Sequence, residues 1–173
     1  TYDGRFFALN KINGKKVWEF NIGDAVIWAS PVIDEAGNVF FGCQWPIQKF
    51  YSLDGLTGEK LWEFDVGSGV HCSAALGENG KVYFGATDKI FALDTKSGDL
   101  HWELALNDPG LTANKSNTIW SSPALSNDGT LYIGGDSGFM YAVGTQSGKL
   151  KWKFKTDGWV TSSPALDVNG NIY

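Results

Sequence analysis

Short stretches of alternating apolar and polar residues run along the chain, separated by glycine-containing turns. In 150–155 the apolar Trp152 and Phe154 alternate with three lysines, and 60–65 shows the same alternation. A period of two residues indicates strands exposed on one face and does not fit the 3.6-residue period of a helix. Turns such as 127–130 contain Gly or Asn, which adopt the positive φ that hairpins need. The sequence therefore predicts an all-β chain of short antiparallel strands.

One phrase recurs four times, and each copy ends in a tryptophan that follows a glycine by four residues. The copies occupy 8–18, 52–62, 92–102 and 142–152, and their tryptophans are separated by 44, 40 and 50 residues. Self-similarity at this period indicates a propeller or a solenoid. We therefore expect a structure built from successive repeats and not a single globular core.

Each repeat contains four strands, which we name A to D in chain order. Strand A carries a Ser-Pro phrase with Pro31, Pro123 or Pro164, strand B the pattern Phe/Tyr-x-Gly, and strand D the tryptophan. Proline has no N–H, so strand A fits a sheet edge, and the charged residues beside Trp152 fit an exposed outer edge. Four antiparallel strands of this kind form a propeller blade.

We expect a single propeller domain or fragment over residues 1–173. Its whole blades are predicted at 24–67, 68–107 and 118–158, and its half blades at 2–23 and 159–173. The two halves are complementary, because one supplies strands C and D and the other strands A and B. Three arrangements stay open: a fragment of a longer propeller, a small closed ring of four blade equivalents, and a homodimer that shares an eight-bladed ring.

The phrase Ala-x-Asp-x-x-Ser/Thr-Gly-x-x-x-Trp resembles the tryptophan-docking motif of the pyrroloquinoline-quinone (PQQ)-like repeat family. That β-propeller family includes quinoprotein alcohol dehydrogenases and BamB-type assembly lipoproteins, and the resemblance covers essentially the whole chain. It implies that the four motif tryptophans pack between neighbouring blades beside the motif glycines. These residues are Trp18, Trp62, Trp102 and Trp152 with Gly14, Gly58, Gly98 and Gly148.

The acidic position of the motif is occupied by Asp54 and Asp94. A carboxylate at this position accepts backbone N–H bonds within the turn. Asn10 and Gly144 occupy the corresponding positions of the other two copies, so we expect those turns to be looser. Burial of a motif tryptophan contributes on the order of a few kcal/mol.

Binding residues are expected on the face where the B–C and D–A loops open. The two enlarged loops, 43–49 and 107–117, both fall on this face, and loops on a rigid scaffold commonly carry binding residues. The candidate ligand or partner-binding residues there are Trp28, Trp45, His71, Trp120 and Thr161. The alternative is that these side chains plug the central channel or cover its rim.

Composition excludes several classes of function. The net charge is -5 and there is no block of basic residues, which argues against nucleic-acid binding. No apolar stretch is long enough for a transmembrane helix. Cys43 and Cys72 lack metal-type spacing, and both a disulfide and two free thiols stay open. No catalytic residues and no metal site are predicted.

The leading hypothesis is a non-catalytic, BamB-like scaffold for protein interaction or ligand binding, with a protein partner or self-association. The alternative is a fragment of a PQQ-dependent dehydrogenase. The resemblance implies that such enzymes also carry an adjacent-cysteine disulfide and a calcium-binding set, whereas Cys43 and Cys72 are not adjacent. We therefore expect neither PQQ nor calcium. The family resemblance implies a periplasmic, cell-surface or secreted location.

Overall fold

The computed structural model describes residues 1–107 and 118–173, and within these ranges all regular structure is β-strand. Consecutive strands form one two-stranded sheet followed by three four-stranded antiparallel sheets. The strands are β1 (Arg5–Leu9), β2 (Lys16–Asn21), β3 (Val32–Ile33), β4 (Asn38–Gly42), β5 (Lys49–Asp54), β6 (Lys60–Asp65), β7 (Ala75–Gly77), β8 (Lys81–Gly85), β9 (Lys89–Asp94), β10 (Leu100–Ala105), β11 (Ala124–Ser126), β12 (Thr130–Gly135), β13 (Phe139–Gly144) and β14 (Leu150–Lys155).

The predicted class, an all-β propeller of four-stranded antiparallel blades, is confirmed. The sheets have the orders β3-β4-β5-β6, β7-β8-β9-β10 and β11-β12-β13-β14, so strands A and D lie at the edges. Strand β14 is exposed along its length, whereas β4 and β8 are almost entirely buried. At the end of the chain, Leu166 and Ile172 form one isolated antiparallel bridge.

Strand A is shorter than predicted, and its prolines lie before it. β3 begins after Pro31 and β11 after Pro123. The reason is that the Ser-Pro segment bonds across to the neighbouring repeat instead of to its own sheet. In each Ser-Pro segment, the backbone N–H of the serine donates to the Oγ atom of the serine in the following repeat. The N···Oγ distances are 2.9 Å for Ser30 to Ser73, 3.0 Å for Ser73 to Ser122 and 3.0 Å for Ser122 to Ser163.

This serine ladder was not predicted from the sequence. The signal was present in the sequence, because a serine occupies the same position in all four copies of the phrase. Each of these bonds satisfies a backbone N–H that a β-ladder would otherwise have to satisfy. The ladder therefore links successive sheets directly.

Three of the four motif tryptophans lie in the seams between sheets. The indole Nε1 of Trp18, Trp62 and Trp102 donates to a turn carbonyl in the following repeat, at distances of 2.9, 3.0 and 2.7 Å. Each ring also lies against the turn glycine of that repeat, which is Gly58, Gly98 and Gly148 respectively. A Cβ on any of these glycines would come within 2.7 Å of the ring.

The first and last copies of the motif lack one half of this contact within the described residues. Trp152 is 42% exposed. Gly14 has the same positive φ as the other turn glycines, but a Cβ placed on it would meet nothing within 4 Å. The tryptophan at one end and the glycine turn at the other are therefore both uncovered.

The acidic turns have the predicted geometry. Asp54 Oδ1 accepts the N–H groups of Leu56 and Thr57, both at 2.8 Å. The pKa of Asp54 is lowered by these bonds. In the turn at Asn10, Oδ1 accepts N–H bonds at the same relative positions, at 2.9 and 3.3 Å, so the second bond is longer than in the Asp54 turn. An amide oxygen replaces a carboxylate oxygen here at little geometric cost.

Apolar packing continues through the same seams. The rings of Phe50 in β5 and Phe84 in β8 stack at 4.0 Å between centroids, and those of Phe6 and Phe41 stack at 4.2 Å between β1 and β4. Phe50, Phe84 and Phe41 are essentially inaccessible to solvent. The hydrophobic core is thus shared between neighbouring sheets, which is the arrangement expected of stacked repeats.

Candidate functional site

The candidate residues lie at the end of the sheets where the B–C and D–A loops run, which we call the loop face. In an antiparallel sheet with strand order A-B-C-D these two kinds of loop share one end. Trp28, His71 and Trp120 each lie four residues before strand A of their repeat, at equivalent positions.

A buried β-branched residue anchors each of these positions. Val70 and Ile119 directly precede His71 and Trp120, and both are fully buried. Their side chains cover Gly42 and Gly85 of the preceding sheet, where a Cβ would lie only 2.4 and 2.3 Å away. The glycine that ends strand B therefore makes room for the next repeat. This second seam contact was missed by the sequence analysis, although the Gly recurs at the end of every B strand.

Three rings from the D–A loops of three successive repeats meet on the loop face. The centroids of Trp28 and Trp120 are 5.5 Å apart with an interplanar angle of 27°. His71 lies 4.5 Å from Trp120 and 5.9 Å from Trp28. We call these three residues the ring cluster. Trp28 and Trp120 belong to repeats that are not neighbours, so their contact extends past the repeat that separates them.

The ring cluster is partly open to solvent and contains an incompletely bonded histidine. Trp28 is 46% exposed and Trp120 36% exposed. His71 is half-buried, and burial lowers the pKa of its imidazole, so the neutral form is favoured. Its Nδ1 atom is buried, with no hydrogen-bond partner among the described residues. Such an atom is unfavourable unless a ligand or water satisfies it.

Two further polar side chains of the B–C loops were not predicted. Asp136 and Gln44 occupy equivalent positions of their repeats. Each follows the glycine of the repeated strand B pattern by two residues. The N–H of Gln44 donates to Val26 O at 2.9 Å and that of Asp136 to Thr118 O at 3.2 Å. Each acceptor lies two residues before a tryptophan of the cluster.

Asp136 contacts the cluster directly. Burial raises the pKa of the Asp136 carboxyl, while a hydrogen bond from the Trp120 side chain opposes that shift. Asp136 Oδ1 and Gln44 Nε2 are buried, and neither has a hydrogen-bond partner within the described ranges. The sequence signal for these residues was weak, because Thr87 stands at the same position of the intervening repeat.

The other two candidate residues remain apart from the rings. Trp45 is 74% exposed, and no ring contact joins it to the cluster in the described part of the chain. Thr161 is exposed at the position equivalent to Trp28 in the last copy of the phrase. Trp159, close by, is 79% exposed. The enlarged loop predicted at 107–117 lies, apart from Asn107, outside the described residues.

Cys43 and Cys72 are both buried free thiols, so the two do not form a disulfide. Burial raises the pKa of Cys43, and it raises that of Cys72 to about 12. Their sulfur atoms lie 3.4 and 3.3 Å from the carbonyl oxygens of Lys49 and Gly85. Residues 1–107 and 118–173 contain no group of three or more His, Cys, Asp or Glu side chains that could hold a metal ion.

Four-stranded blades, tryptophan seams and an open loop face define a β-propeller built from PQQ-like repeats. A family model described as outer membrane protein assembly factor BamB matches residues 48–123 and 113–172. The chain belongs to this family.

Curated relatives of two kinds are similar to parts of the chain. The quinone-dependent alcohol dehydrogenase subunit of Gluconacetobacter polyoxogenes is 37% identical over 87 residues, which cover 45% of this chain and 12% of that subunit. The assembly factor BamB of Legionella pneumophila is 29% identical over 105 residues, or 60% of this chain and 24% of the relative. The chain thus spans a small part of the length of these relatives.

Solved structures share the fold. The structure of BamB from Moraxella catarrhalis superposes with a TM-score of 0.78 at 21% identity, covering 97% of this chain and 52% of that one. A europium-containing methanol dehydrogenase gives a TM-score of 0.79 at 13% identity, covering 98% and 43%. At these identities the likeness shows the fold alone. None of the described residues forms a helix suited to crossing a membrane.

Proposed function

We propose that this chain forms part of a non-catalytic β-propeller that binds a protein partner or another ligand through the ring cluster. The observation that carries the proposal is the meeting of Trp28, His71 and Trp120 from three successive repeats while both tryptophans stay well exposed. Large aromatic side chains held rigidly on a partly open face are typical of binding surfaces.

The likeness to BamB supports a protein partner. A relative and a superposing structure are both named BamB, and the relative is described as an outer membrane protein assembly factor. By the same likeness we propose a periplasmic, cell-surface or secreted location. These proposals name a kind of partner, a protein, and a kind of compartment.

The test is affinity purification of the protein from cells that produce it naturally, with partners identified by mass spectrometry. The double variant Trp28→Ala/Trp120→Ala is expected to lose specific partners while keeping the thermal midpoint within a few degrees. Trp159→Ala removes a more exposed tryptophan from the same face and serves as the matched control. Retention of every partner by the double variant would contradict the proposal.

A PQQ-dependent dehydrogenase is the second candidate, favoured by the 37% identity to quinone-dependent alcohol dehydrogenase subunits. The residues described here do not fit the cofactor set that the family resemblance implies, because Cys43 and Cys72 are separate, buried and unpaired. Titration with PQQ and Ca²⁺, followed by the absorption of bound quinone, distinguishes the candidates. Stoichiometric binding with quinone-dependent turnover that is lost in His71→Ala would establish the enzyme and overturn the first proposal.

Self-association through a shared ring is a third candidate. It is favoured by the uncovered Trp152 and the open turn at Gly14, which are the two halves of one seam contact. The solution mass of the 173-residue polypeptide tests it. Twice 18.9 kDa is expected for two chains that share a ring, and a mass of 18.9 kDa eliminates this arrangement.

A further inference from the structure

We infer that the ring cluster and Asp136 bind a cationic side chain, a lysine or an arginine, presented by a basic segment of a protein partner. This inference rests on the proposed function, because it names the chemistry that the partner brings to the ring cluster. Three observations on the described residues support it: accessible tryptophan rings, a carboxylate oxygen without a partner beside them, and loop residues that carry no positive charge.

The tryptophan rings supply the first part of a cation site. Trp28 and Trp120 stack with an offset at 5.5 Å and retain large exposed areas. The face of an indole attracts ammonium and guanidinium groups more strongly than the other aromatic side chains do. His71 packs against both rings, and burial lowers the pKa of its imidazole, which disfavours a competing positive charge within the cluster.

Asp136 supplies the second part. Its carboxylate lies at the Trp120 side chain, and its Oδ1 atom has no hydrogen-bond partner among the described residues. A buried acceptor without a donor is unfavourable, and a charged N–H donor satisfies it better than a neutral one. The adjacent Trp120 ring and this oxygen together match a group that carries both a positive charge and N–H bonds.

The charges of the surrounding loops supply the third part. The described D–A and B–C loop residues between 22 and 163 contain four aspartates and no lysine or arginine; the aspartates are Asp24, Asp88, Asp136 and Asp157. Lys49 and Lys89 begin strands at this end, but each forms an ion pair with a glutamate of the next strand. The turns at the opposite end of the sheets mix both signs, with Lys11, Lys15, Lys96 and Lys149 among their residues.

An anionic or neutral ligand fits these observations less well. A phosphate or carboxylate group would meet Asp136, and the loop residues that the structure describes offer no lysine or arginine to compensate the repulsion. A neutral polyol could donate to Asp136 Oδ1 and stack on the rings, but it would not use the negative potential of the four loop aspartates. Electrostatic complementarity of this kind accelerates association and suppresses wrong partners.

The experiment measures fluorescence anisotropy of a short labelled peptide of alternating lysine and glycine, with a glutamate–glycine peptide of equal length for comparison. The protein is expected to bind the lysine peptide, and binding is expected to weaken as salt is raised. Asp136→Asn and Trp28→Ala are each expected to weaken it about tenfold or more. Trp28→Phe, which keeps an aromatic face, is expected to retain most of the affinity.

Two controls make the result specific. Glu35→Gln removes the same charge from an exposed turn at the opposite end of the sheets, and Trp159→Ala removes an exposed tryptophan of the loop face. Equal weakening in Asp136→Asn and Glu35→Gln would show that only net charge matters and would overturn the inference. Thermal midpoints of all variants confirm that each protein is folded before binding is compared.

The outcomes also separate this inference from the proposed function. Binding of the glutamate peptide or of a neutral oligosaccharide, with loss in Trp28→Ala, would overturn the cationic partner and leave the ring cluster as a binding site. If natural partners are retained by the Trp28→Ala/Trp120→Ala variant and no peptide binding depends on Trp28, both the inference and the proposed function fail.

Discussion

Replacement of Gly98 by alanine tests whether the tryptophan seam stabilises the propeller. Gly98 has a φ of +76°, and a Cβ at this position would lie 2.7 Å from Cδ2 of the Trp62 ring. The new methyl group must therefore displace the ring, whose Nε1 donates to Thr95 O at 3.0 Å. Gly14 and Gly37 are matched controls, with φ of +69° and +90° and nothing within 4 Å of the added Cβ.

The expected decrease in the free energy of unfolding of Gly98→Ala has two contributions, and the control variants separate them. An alanine at positive φ costs about 1–2 kcal/mol at any of the three positions. Overlap with a packed ring adds about 1–3 kcal/mol at Gly98 alone. For a chain of this size the additional loss corresponds to a thermal midpoint about 2–12 °C below that of the control variants.

Urea unfolding followed by tryptophan fluorescence measures the free energies of unfolding of wild type, Gly98→Ala, Gly14→Ala and Gly37→Ala. The double variant Trp62→Ala/Gly98→Ala removes the ring, so the additional cost of the alanine is expected to vanish in a double-mutant cycle. Equal destabilisation of Gly98→Ala and both controls would refute the reasoning, because backbone strain would then account for the whole effect.

Three other predictions concern seams and turns. Trp62→Phe is expected to lower the free energy of unfolding by about 2 kcal/mol, because Trp62 is buried and its Nε1 is hydrogen-bonded. Trp152→Phe is expected to lower it by less than about 1 kcal/mol, because Trp152 is exposed. Thermal unfolding of the two variants measures the difference. Ser122→Ala leaves one ladder N–H without its acceptor and is expected to cost about 1 kcal/mol, with Ser122→Thr as the restoring control. Lys81 and turn N–H groups lower the pKa of Asp94 from 3.8 to about 2. The ionised Asp94 therefore stabilises the folded protein by about 1 kcal/mol after allowance for solvent exposure. This contribution is present above pH 4 and is lost as the pH falls through 2. Asp94→Asn should remove this pH dependence from acid-unfolding curves.

Local features of the sequence were sufficient to predict the blades. The alternation around Trp152, the glycine turns and the spacing of the motif tryptophans are properties of neighbouring residues, and strand formation depends mainly on such local patterns. The position of Asp54 and Asp94 in their turns could be predicted for the same reason, since a carboxylate reaches N–H groups two and three residues away. Asn10 shows the limit of this reasoning, because its amide oxygen performs the same role.

The contacts between repeats that form the candidate site depended on the tertiary structure. Trp28 and Trp120 are in contact although the repeat that carries His71 lies between theirs. This contact depends on the angle between successive sheets, and no local sequence pattern encodes that angle. The same holds for Asp136, whose position beside Trp120 depends on a loop that differs from one repeat to the next. The sequence by itself determined the strands, the turns and the repeat; the packing of whole sheets against one another decided which loop residues form the candidate site.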